Sequence, residues 1–264
     1  MESVLDSFRL DGSVAVVSGA GRGIGAACAA AFAEAGADVV IGARTAEQLD
    51  EVAAAVSGRG RRAVTVAGDL STRDGLALLV DAAERELGGI DIVVNNVGGS
   101  FPQGFMETSE KAFRTALDFN VTTAFNLTQL AVPSMAARGG GSVVNIGSAA
   151  GIFPGRGFSA YGTAKAAMIH LTKELAQDLA PRIRVNAVCP GSIATSALDL
   201  VLENPEIEEM LTSGAPLRRL GQPWEIAVAC LYLASPAAAF VTGQILPVDG
   251  GIQATNFDMG IADV

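Results

Sequence analysis

The sequence contains one histidine and three cysteines in 264 residues, which leaves few ligands for metal chemistry. Zinc sites need several clustered cysteine or histidine ligands, whereas Cys28, Cys189 and Cys230 lie far apart along the chain. We therefore expect no metal site, and we expect His170 to pack on its helix without a chemical role. An odd number of scattered cysteines is typical of buried thiols in a reducing compartment, so the sequence predicts a cytoplasmic protein.

Basic residues and long apolar runs are also scarce. The 18 Lys and Arg residues are outnumbered by 28 Asp and Glu residues, which gives a net charge of −10. This excess argues against nucleic-acid or anionic-membrane partners. No uninterrupted apolar run reaches the length of a membrane span, and the first six residues lack the basic and apolar regions of a signal peptide. We expect a small-molecule ligand instead.

Half of the residues are apolar, and short β-branched runs alternate with alanine-rich helical segments. Strands that are apolar almost throughout and separated by helices predict a parallel sheet covered on both faces. We therefore expect one α/β domain over 1–264, a doubly wound seven-stranded parallel sheet of the Rossmann type, with a loop excursion above it at about 192–221. The predicted strands are Val14–Ser18, Asp38–Ala43, Ala63–Ala67, Ile92–Asn95, Ser142–Gly147, Arg184–Val188 and Gln244–Val248. Helices are predicted near 23–36, 46–57, 72–87, 109–137, 158–180 and 224–234.

Ser148, Tyr161 and Lys165 form the most informative set of residues. Tyr161 and Lys165 are four residues apart in a predicted helix and therefore share one face of it. A phenol ionises near pH 10, and a neighbouring ammonium group favours the phenolate, which lowers that pKa. Ser148 ends a predicted strand and could hold a substrate oxygen while Tyr161 transfers a proton. The set predicts a site that interconverts alcohols and carbonyls.

A glycine-rich loop, Gly19-x-Gly21-Arg22-Gly23-Ile24-Gly25, connects the first predicted strand to the first helix. Glycines at such a junction let the backbone approach a pyrophosphate, whose charge the helix N-terminus stabilises. The spacing differs from the usual G-x-G-x-x-G pattern, but the position between strand and helix predicts a dinucleotide site.

The end of the second strand distinguishes the two nicotinamide cofactors. A carboxylate there binds a ribose 2′-hydroxyl group, whereas an arginine suits a 2′-phosphate. The sequence has Arg44 and no carboxylate, together with Arg22 in the glycine loop. Two guanidinium groups favour NADP(H) over NAD(H); two solvated surface arginines are the alternative. After the third strand, Asp69 and Leu70 are placed to meet the adenine, although Asp69 could equally cap the next helix.

In the order and spacing of these motifs, the whole chain resembles the short-chain dehydrogenase/reductase family. The stretches 96–99 and 190–223 are most similar to the bacterial hydroxysteroid dehydrogenases of the 7α type, although Arg44 departs from the NAD use common in that branch. Ser18 and Val97 replace the usual threonine and alanine. The resemblance is carried by Gly19, Gly23, Gly25, Asn95, Asn96, Val97, Gly98, Asn120, Ser148, Tyr161, Lys165, Asn186, Pro190, Gly191 and Thr195.

The resemblance implies a role for each matching residue. Tyr161 would be the general acid/base and Ser148 would position the substrate oxygen. Lys165 would bind the nicotinamide ribose and lower the tyrosine pKa, while Asn120 would hold a water of a proton relay. Further contacts implied along the cofactor are those of Asn96, Gly98, Pro190, Gly191, Ile193 and Thr195, with Asn95 supporting the sheet. Family members are usually tetramers or dimers, and we expect a homotetramer.

The substrate side of the sequence is apolar. Apolar residues at helical spacing through 198–211 predict an amphipathic lid, unless this face packs on the body or on another subunit. Arg156 is either an anchor for a substrate carboxylate or a surface charge. We expect a bulky apolar ketone, alicyclic, aromatic or steroid-like. The predicted wall consists of Phe101, Phe105, Ile152, Phe153, Phe158, Leu198, Val201, Leu202, Met210 and Leu211.

Two other functions fit parts of the sequence. A 3-oxoacyl carrier-protein reductase would need a basic docking face for its acidic partner, and no strong basic patch is visible. A non-catalytic nucleotide-binding scaffold would be favoured by loss of the serine, tyrosine or lysine, and all three are present. An NADP(H)-dependent carbonyl reductase or alcohol dehydrogenase is the leading interpretation.

Overall fold

The computed structural model describes residues 3–196, 198, 204–256 and 260–261. It contains one seven-stranded sheet, in which every neighbouring pair of strands is parallel, with the order β3-β2-β1-β4-β5-β6-β7. This confirms the predicted doubly wound sheet. The strands are β1 (Val14–Ser18), β2 (Asp38–Ala43), β3 (Ala63–Ala67), β4 (Ile92–Asn95), β5 (Gly141–Ile146), β6 (Ile183–Pro190) and β7 (Ile245–Val248).

Helices cover both faces of the sheet. Successive side chains of a strand point to opposite faces, so Val17 of β1 packs with one buried cluster and Val16 with the other. Helices α1, α2 and α8 supply the first cluster, and α3, α5 and α6 supply most of the second. The helices are α1 (Gly23–Glu34), α2 (Ala46–Ser57), α3 (Arg73–Ala82), α4 (Glu110–Leu117), α5 (Thr123–Ala137), α6 (Ser159–Asp178), α7 (Pro205–Ser213) and α8 (Pro223–Ala234).

Several predicted boundaries were wrong. The segment 109–137 is not one helix, because a π-helical turn at Asp118–Thr122 separates α4 from α5. A second π turn, Ala83–Leu87, ends the segment predicted as 72–87. Within the predicted lid, helix α7 begins at Pro205, with Asn204 accepting a hydrogen bond from the Glu206 amide. Periodicity alone does not reveal these changes, since the apolar stripe continues through a π turn.

The carboxyl ends of β1 and β4 meet where the strand order reverses, which is the usual ligand crevice of such sheets. Ser18, the last residue of β1, joins these two ends. Its Oγ accepts hydrogen bonds from the amides of Asn96 (3.1 Å) and Val97 (3.3 Å) and donates to the Val94 carbonyl (3.3 Å). Among the described helices, none is long and apolar enough to cross a membrane.

Arg184 of β6 ties the end of α8 to the sheet. Its guanidinium group donates to the carbonyls of Leu233 (2.8 Å), Val241 (3.3 Å), Ala234 (3.3 Å) and Ser235 (3.2 Å). Burial lowers the pKa of Arg184 below its usual value. The guanidinium group of Arg184 thus donates hydrogen bonds to main-chain carbonyls near the C-terminus of α8, where positive charge is favourable.

We expect Arg184→Leu to lower the free energy of unfolding by about 3 kcal/mol, because several carbonyls lose a charged donor. Urea unfolding measures the change. Arg85→Leu is the matched control: its ion pair with Glu86 is exposed (side chains 69% and 49% accessible), so we expect a change within about 0.5 kcal/mol. Equal effects of the two substitutions would contradict a capping role for Arg184.

Candidate active site

Tyr161 and Lys165 share one face of α6, as their spacing predicts. Lys165 is only 3% exposed, and its Nζ donates a 2.8 Å hydrogen bond to the carbonyl of Ile146 at the end of β5. The same Nζ lies 5.8 Å from the centre of the Tyr161 ring. The structure therefore places the ammonium group beside the phenol. The hydrogen bond to the Ile146 carbonyl anchors this ammonium group to the end of β5.

The pKa values of Tyr161 and Lys165 differ from what the sequence leads us to expect. Desolvation by burial lowers the pKa of Lys165 to about 8. Burial also raises the pKa of Tyr161 above its usual value, and the hydrogen bond from Ser148 opposes this only in part. The expected lowering of the tyrosine pKa by Lys165 is thus absent from the protein alone. Desolvation by burial has the largest effect on the Tyr161 pKa, and the Nζ of Lys165 donates its hydrogen bond to the Ile146 carbonyl.

Ser148 stands at the point where β5 leads into the loop before α6. Its Oγ accepts a hydrogen bond from the Ala150 amide (3.1 Å), which fixes the side chain, and it lies close enough to the Tyr161 hydroxyl group to lower the pKa of that phenol. A carbonyl oxygen of a substrate can be held between the two hydroxyl groups, within reach of a proton from either. Cys189 lies beneath them, where burial raises its thiol pKa to about 11; it therefore stays a protonated thiol at neutral pH.

The Tyr161 phenol is expected to ionise above pH 10 in the cofactor-free protein, since burial raises its pKa. The measurement is the phenolate absorbance during a pH titration of Tyr232→Phe, which leaves Tyr161 as the only tyrosine. Ser148→Ala in that background should raise the pKa further, because it removes the opposing hydrogen bond. An ionisation near pH 7 would show instead that Lys165 dominates.

Asn120 lies in the π turn between α4 and α5 and is completely buried. Its Nδ2 donates to the carbonyls of Gly99 (3.0 Å) and Ala116 (2.8 Å), and its Oδ1 accepts from the Gly99 amide (2.9 Å). Both side-chain amide hydrogens of Asn120 are therefore used in hydrogen bonds to main-chain carbonyls. Only a lone pair on its Oδ1 remains to accept a hydrogen bond from a water molecule. A Cβ on Gly98 would lie 2.6 Å from this Oδ1 and 3.0 Å from the Lys165 Nζ, so the loop approaches both residues closely.

The glycine loop fits the close approach of a phosphate group. Gly19 has a φ of +66°, a conformation that glycine adopts without strain. A side chain on Gly25 would overlap the Gly19 carbonyl and would reach within 2.6 Å of the Asn96 amide nitrogen. Asn96 donates to that same carbonyl (2.9 Å), so it supports the loop from the end of β4.

The N-terminus of α1 has no side-chain cap. Arg22 occupies the N-cap position without making a capping hydrogen bond, and the first turn, which includes Ile24, contains no acidic residue. The unpaired amides and the helix dipole favour an anion there. A side chain on Gly23 would lie 3.4 Å from the Thr195 methyl group, so Thr195 borders the same place. These residues fit the pyrophosphate of a dinucleotide.

Arg22 and Arg44 are both exposed, and in the described part of the chain neither side chain makes a hydrogen bond or a salt bridge, although the charge of Arg44 acts on Asp69. The backbone brings them close: a Cβ on Gly21, next to Arg22, would lie 3.0 Å from the Cβ of Ala43, next to Arg44. Two unpaired cations thus flank the end of β2. No carboxylate belongs to that strand end, where an NAD-binding chain would carry one.

Asp69 and Leu70 have different roles in the structure. The Oδ1 of Asp69 accepts a hydrogen bond from the Ser71 amide (2.9 Å), while the cap of α3 is Thr72, which accepts from Gly75. That hydrogen bond and the charge of Arg44 lower the pKa of Asp69. Leu70 is 4% exposed and packs in the core, so its side chain is not available to a ligand.

The remaining motif residues lie around the ends of the central strands. Pro190 ends β6, and Gly191 donates to the Val248 carbonyl (3.2 Å). Ile193 is buried and bridges to Gly221, which joins the two ends of the excursion. These contacts position the backbone that precedes Thr195.

Two asparagines of the resemblance lie within the sheet. Asn95 donates to the side chains of Thr128 (3.0 Å) and Asn145 (2.8 Å). Asn186 donates to the Val241 carbonyl (2.9 Å) and accepts from the Gln244 amide (2.9 Å). Both side chains hold structural elements together and do not reach the reactive hydroxyl groups.

The predicted apolar wall is divided between two clefts. Ile152, Phe153 and Phe158 line a cleft of about 350 Å³, and Phe101 lines a second of about 440 Å³ together with Phe119. Neither cleft includes Ser148, Tyr161 or Lys165. Of the other predicted wall residues, Phe105 is exposed, Leu198 and Met210 are half-buried, Leu211 is buried, and Val201 and Leu202 lie outside the described residues.

The Nε2 of His170 lies 3.1 Å from a carboxylate oxygen of Glu174, one turn further along the same helix α6, and the His170 side chain is mostly exposed. No group of three or more His, Cys, Asp or Glu side chains in the described ranges could hold a metal ion. No local sequence pattern predicts the main-chain carbonyl of Ile146 or Cys189 as groups of the site, because these contacts depend on tertiary structure.

Comparison with known proteins identifies the chain. The family model described as enoyl-(acyl carrier protein) reductase matches residues 19–253. An uncharacterized oxidoreductase of Mycobacterium tuberculosis is 53% identical over 262 residues, which is 99% of this chain and 100% of that protein. The 7α-hydroxysteroid dehydrogenase of Escherichia coli is 42% identical over 247 residues, 93% of this chain and 96% of the relative.

The fold is also found in a solved structure of a similar protein. A 7α-hydroxysteroid dehydrogenase complexed with NADH and 7-oxoglycochenodeoxycholic acid superposes with a TM-score of 0.92 at 42% identity, covering 97% of this chain and 100% of that one. The chain therefore belongs to the short-chain dehydrogenase/reductase family, oxidoreductases that act on hydroxyl and carbonyl groups with a nicotinamide cofactor, and within that family it is similar to the 7α-hydroxysteroid dehydrogenases.

Proposed function

We propose that this protein is an NADP(H)-dependent dehydrogenase/reductase that interconverts a bulky apolar ketone and its secondary alcohol. The observation that carries the proposal is the arrangement of Ser148, Tyr161 and Lys165, in which two neighbouring hydroxyl groups lie beside a buried ammonium group. Proton transfer to an oxygen held in this position is what carbonyl reduction requires.

In the direction of reduction, the bound cofactor supplies a hydride for the carbonyl carbon. Ser148 holds the carbonyl oxygen by a hydrogen bond, and Tyr161 donates its proton to that oxygen as the carbon is reduced. The raised pKa of Tyr161 keeps the phenol protonated at neutral pH, which suits its role as an acid. Lys165 would contact the nicotinamide ribose, and Asn120 would position Gly98 and Gly99 beside it. In oxidation each proton movement is reversed.

The two unpaired arginines support NADP(H) as the preferred cofactor. Arg22 and Arg44 flank the end of β2, where guanidinium groups suit a 2′-phosphate. The solved relative was complexed with NADH, so similarity to it does not argue for NADP(H). The argument for NADP(H) is the positive charge of the two arginines at the end of β2. We propose that Gly19, Gly25 and the free N-terminus of α1 hold the pyrophosphate, with Asp69 beside the adenine.

The remaining proposed cofactor contacts follow the family motif along the crevice. They are Gly21, Gly23, Ile24, Leu70 through its main chain, Asn96, Gly98, Pro190, Gly191, Ile193 and Thr195.

Apolar side chains around the site support a bulky apolar substrate. Ile152, Phe153 and Phe158 follow Ser148 in the chain and line one cleft, and the similar dehydrogenases act on 7α-hydroxysteroids. A ketone with an extended alicyclic or aromatic skeleton fits these surfaces, whereas a small charged substrate would leave them in contact with water.

We also propose that the chain, as a single domain, assembles into a homotetramer in the cytoplasm. Large apolar side chains stay exposed, among them Trp224 (62%), Val228 (52%) and Phe240 (104%), and exposed apolar surface of this kind commonly marks subunit contacts. All three cysteines are free thiols, which is compatible with a reducing compartment. Sedimentation of the purified protein measures the assembly, and a monomer at micromolar concentration would contradict it.

Cofactor absorbance with the purified protein tests the proposed function. NADPH and NADH are compared against steroid ketones, cyclic and aromatic ketones, and 3-oxoacyl thioesters. We expect turnover of the bulky ketones with NADPH preferred. Turnover of the thioesters alone would favour the carrier-protein reductase, and cofactor binding without turnover of any carbonyl would contradict the proposed substrate class.

A further inference from the structure

A cleft of about 440 Å³ lies between the loop after β4 and helix α4. We call it the α4 cleft; the residues that line it belong to 99–103 and 109–119. Its apolar surface includes Phe101 of the loop and Phe119 of the π turn, and Phe101 is 86% exposed. Clefts of this volume with aromatic walls commonly hold small organic molecules. The α4 cleft therefore has room for a compact ring system.

The α4 cleft carries a positive charge that no carboxylate balances. Lys111 lines it from the first turn of α4, and in the described part of the chain its ammonium group makes no hydrogen bond or salt bridge. The described lining includes no aspartate or glutamate. The adjacent carboxylates are bound elsewhere: Glu110 pairs with Arg114 (2.8 Å), and Glu107 accepts from the Gly104 amide (3.1 Å). In a protein with a net charge of −10, such a cleft favours an anionic ligand.

The α4 cleft is separate from the reactive groups and from the proposed cofactor contacts. Ser148, Tyr161 and Lys165 do not line it, and the residues proposed to hold the cofactor lie outside its lining as well. A ligand in the α4 cleft can therefore be bound at the same time as the cofactor and the ketone.

Two residues of the α4 cleft nevertheless hold Asn120 in place. The Gly99 amide donates to the Asn120 Oδ1 (2.9 Å), and the Asn120 Nδ2 donates to the carbonyls of Gly99 (3.0 Å) and Ala116 (2.8 Å). Gly98 directly precedes Gly99, and a Cβ on it would lie 3.0 Å from the Lys165 Nζ. A ligand that contacts Gly99 and Ala116 thus acts on the main-chain segments that orient Asn120.

We propose that the α4 cleft is a second binding site, which takes an amphipathic organic anion: a flat aromatic or alicyclic ring system with one carboxylate or sulfonate group. The rings pack on Phe101 and Phe119, and the anionic group pairs with Lys111. The bound anion displaces Gly99, which shifts Asn120 away from the orientation that supports the reaction and lowers kcat. The binding follows from the α4 cleft alone, whereas the effect on kcat rests on the proposed ketone reduction.

Calorimetric titration of the NADP⁺ complex with naphthalenesulfonate tests the binding, and we expect one site per chain. Lys111→Gln should weaken binding about fivefold at low ionic strength, because an exposed ion pair contributes modestly and is screened by salt. Thr115→Trp should abolish binding, since Thr115 is an exposed residue that lines the α4 cleft and an indole ring there fills it. Uncharged naphthalenesulfonamide should bind equally well to the unmodified protein and to Lys111→Gln.

Lys173→Gln is the matched control, because Lys173 is an exposed lysine on α6 that does not line the α4 cleft. It should leave the dissociation constant of naphthalenesulfonate unchanged. Undiminished binding in Lys111→Gln would show that the anion is not recognised by its charge, and undiminished binding in Thr115→Trp would place the ligand elsewhere. Absence of saturable binding to the unmodified protein would show that the α4 cleft takes no such ligand. Each of these results overturns the proposal.

Steady-state kinetics test the effect on the reaction. At saturating naphthalenesulfonate, kcat for a bulky ketone should fall about threefold with an unchanged KM, because small displacements of a positioned group lower the rate. Thr115→Trp should not respond. A rise in KM alone would show that the anion competes with the ketone, and an unchanged kcat with binding intact would show that Asn120 is not reached; either result contradicts the proposed site or its effect. If the unmodified protein reduced no ketone, the proposed function would fail, whereas the titration would still decide whether the α4 cleft binds the anion.

Discussion

Replacing Tyr161 by phenylalanine is expected to lower kcat for ketone reduction by about a thousandfold, because proton transfer by a positioned group contributes roughly 10²–10⁴ to the rate. The substitution removes one hydroxyl group and keeps the ring, which packs 6.3 Å from the ring of Phe158. NADPH affinity should therefore change little. Steady-state kinetics and a cofactor titration on the same preparation measure both quantities.

The sequence offers a matched control for this substitution, since Tyr232 is the only other tyrosine. Tyr232 belongs to α8 and packs against Phe8, away from the reactive hydroxyl groups. Tyr232→Phe should keep kcat within about twofold. Full turnover by Tyr161→Phe would exclude the phenol as the proton donor, and Ser148 would then be the remaining hydroxyl group at the site.

Changing Arg44 to aspartate is expected to reverse the cofactor preference. The ratio of kcat/KM for NADPH to that for NADH should fall by about a hundredfold or more, since a charged hydrogen bond to the 2′-phosphate contributes roughly 1.5–3 kcal/mol and the new carboxylate repels the phosphate. The same carboxylate can accept a hydrogen bond from the 2′-hydroxyl group of NADH. Because Arg44 is exposed, the effect should weaken as ionic strength rises.

Arg85→Asp controls for the change in net charge, because Arg85 is an exposed arginine paired with Glu86 on the turn after α3. It should leave the cofactor ratio unchanged. Arg22→Ala should lower the preference for NADPH by a smaller factor, since it removes one cation without adding a repulsive charge. A preference for NADH in the unmodified protein would show that neither arginine binds a phosphate.

Much of the fold could be predicted because its signals are local. The near-continuous apolar strands require burial on both faces, and Val16 and Val17 indeed point to opposite clusters. The glycine loop could be predicted for the same reason, since Gly19 and Gly25 occupy positions where a side chain would be strained or would collide with neighbouring atoms.

The parts that could not be predicted depend on contacts between distant segments. The ionisation of Tyr161 depends on how deeply α6 buries it, and spacing alone gave the opposite direction for the pKa. The π turn at Asn120 interrupts a helix without interrupting its apolar stripe. Ile261 lies against Gly104 and Gly157, which are about fifty residues apart in the sequence, and no local pattern predicts this contact.

The central claim is hydride transfer between a nicotinamide cofactor and a bulky ketone at the site formed by Ser148, Tyr161 and Lys165. NADPH carrying deuterium at the transferable position of the nicotinamide ring tests it most directly, with a steroid ketone as substrate and mass spectrometry of the product. We predict one deuterium on the carbinol carbon of the alcohol, formed by the unmodified protein and almost lost in Tyr161→Phe. An alcohol without deuterium, or no alcohol at all from any bulky ketone, would contradict the account.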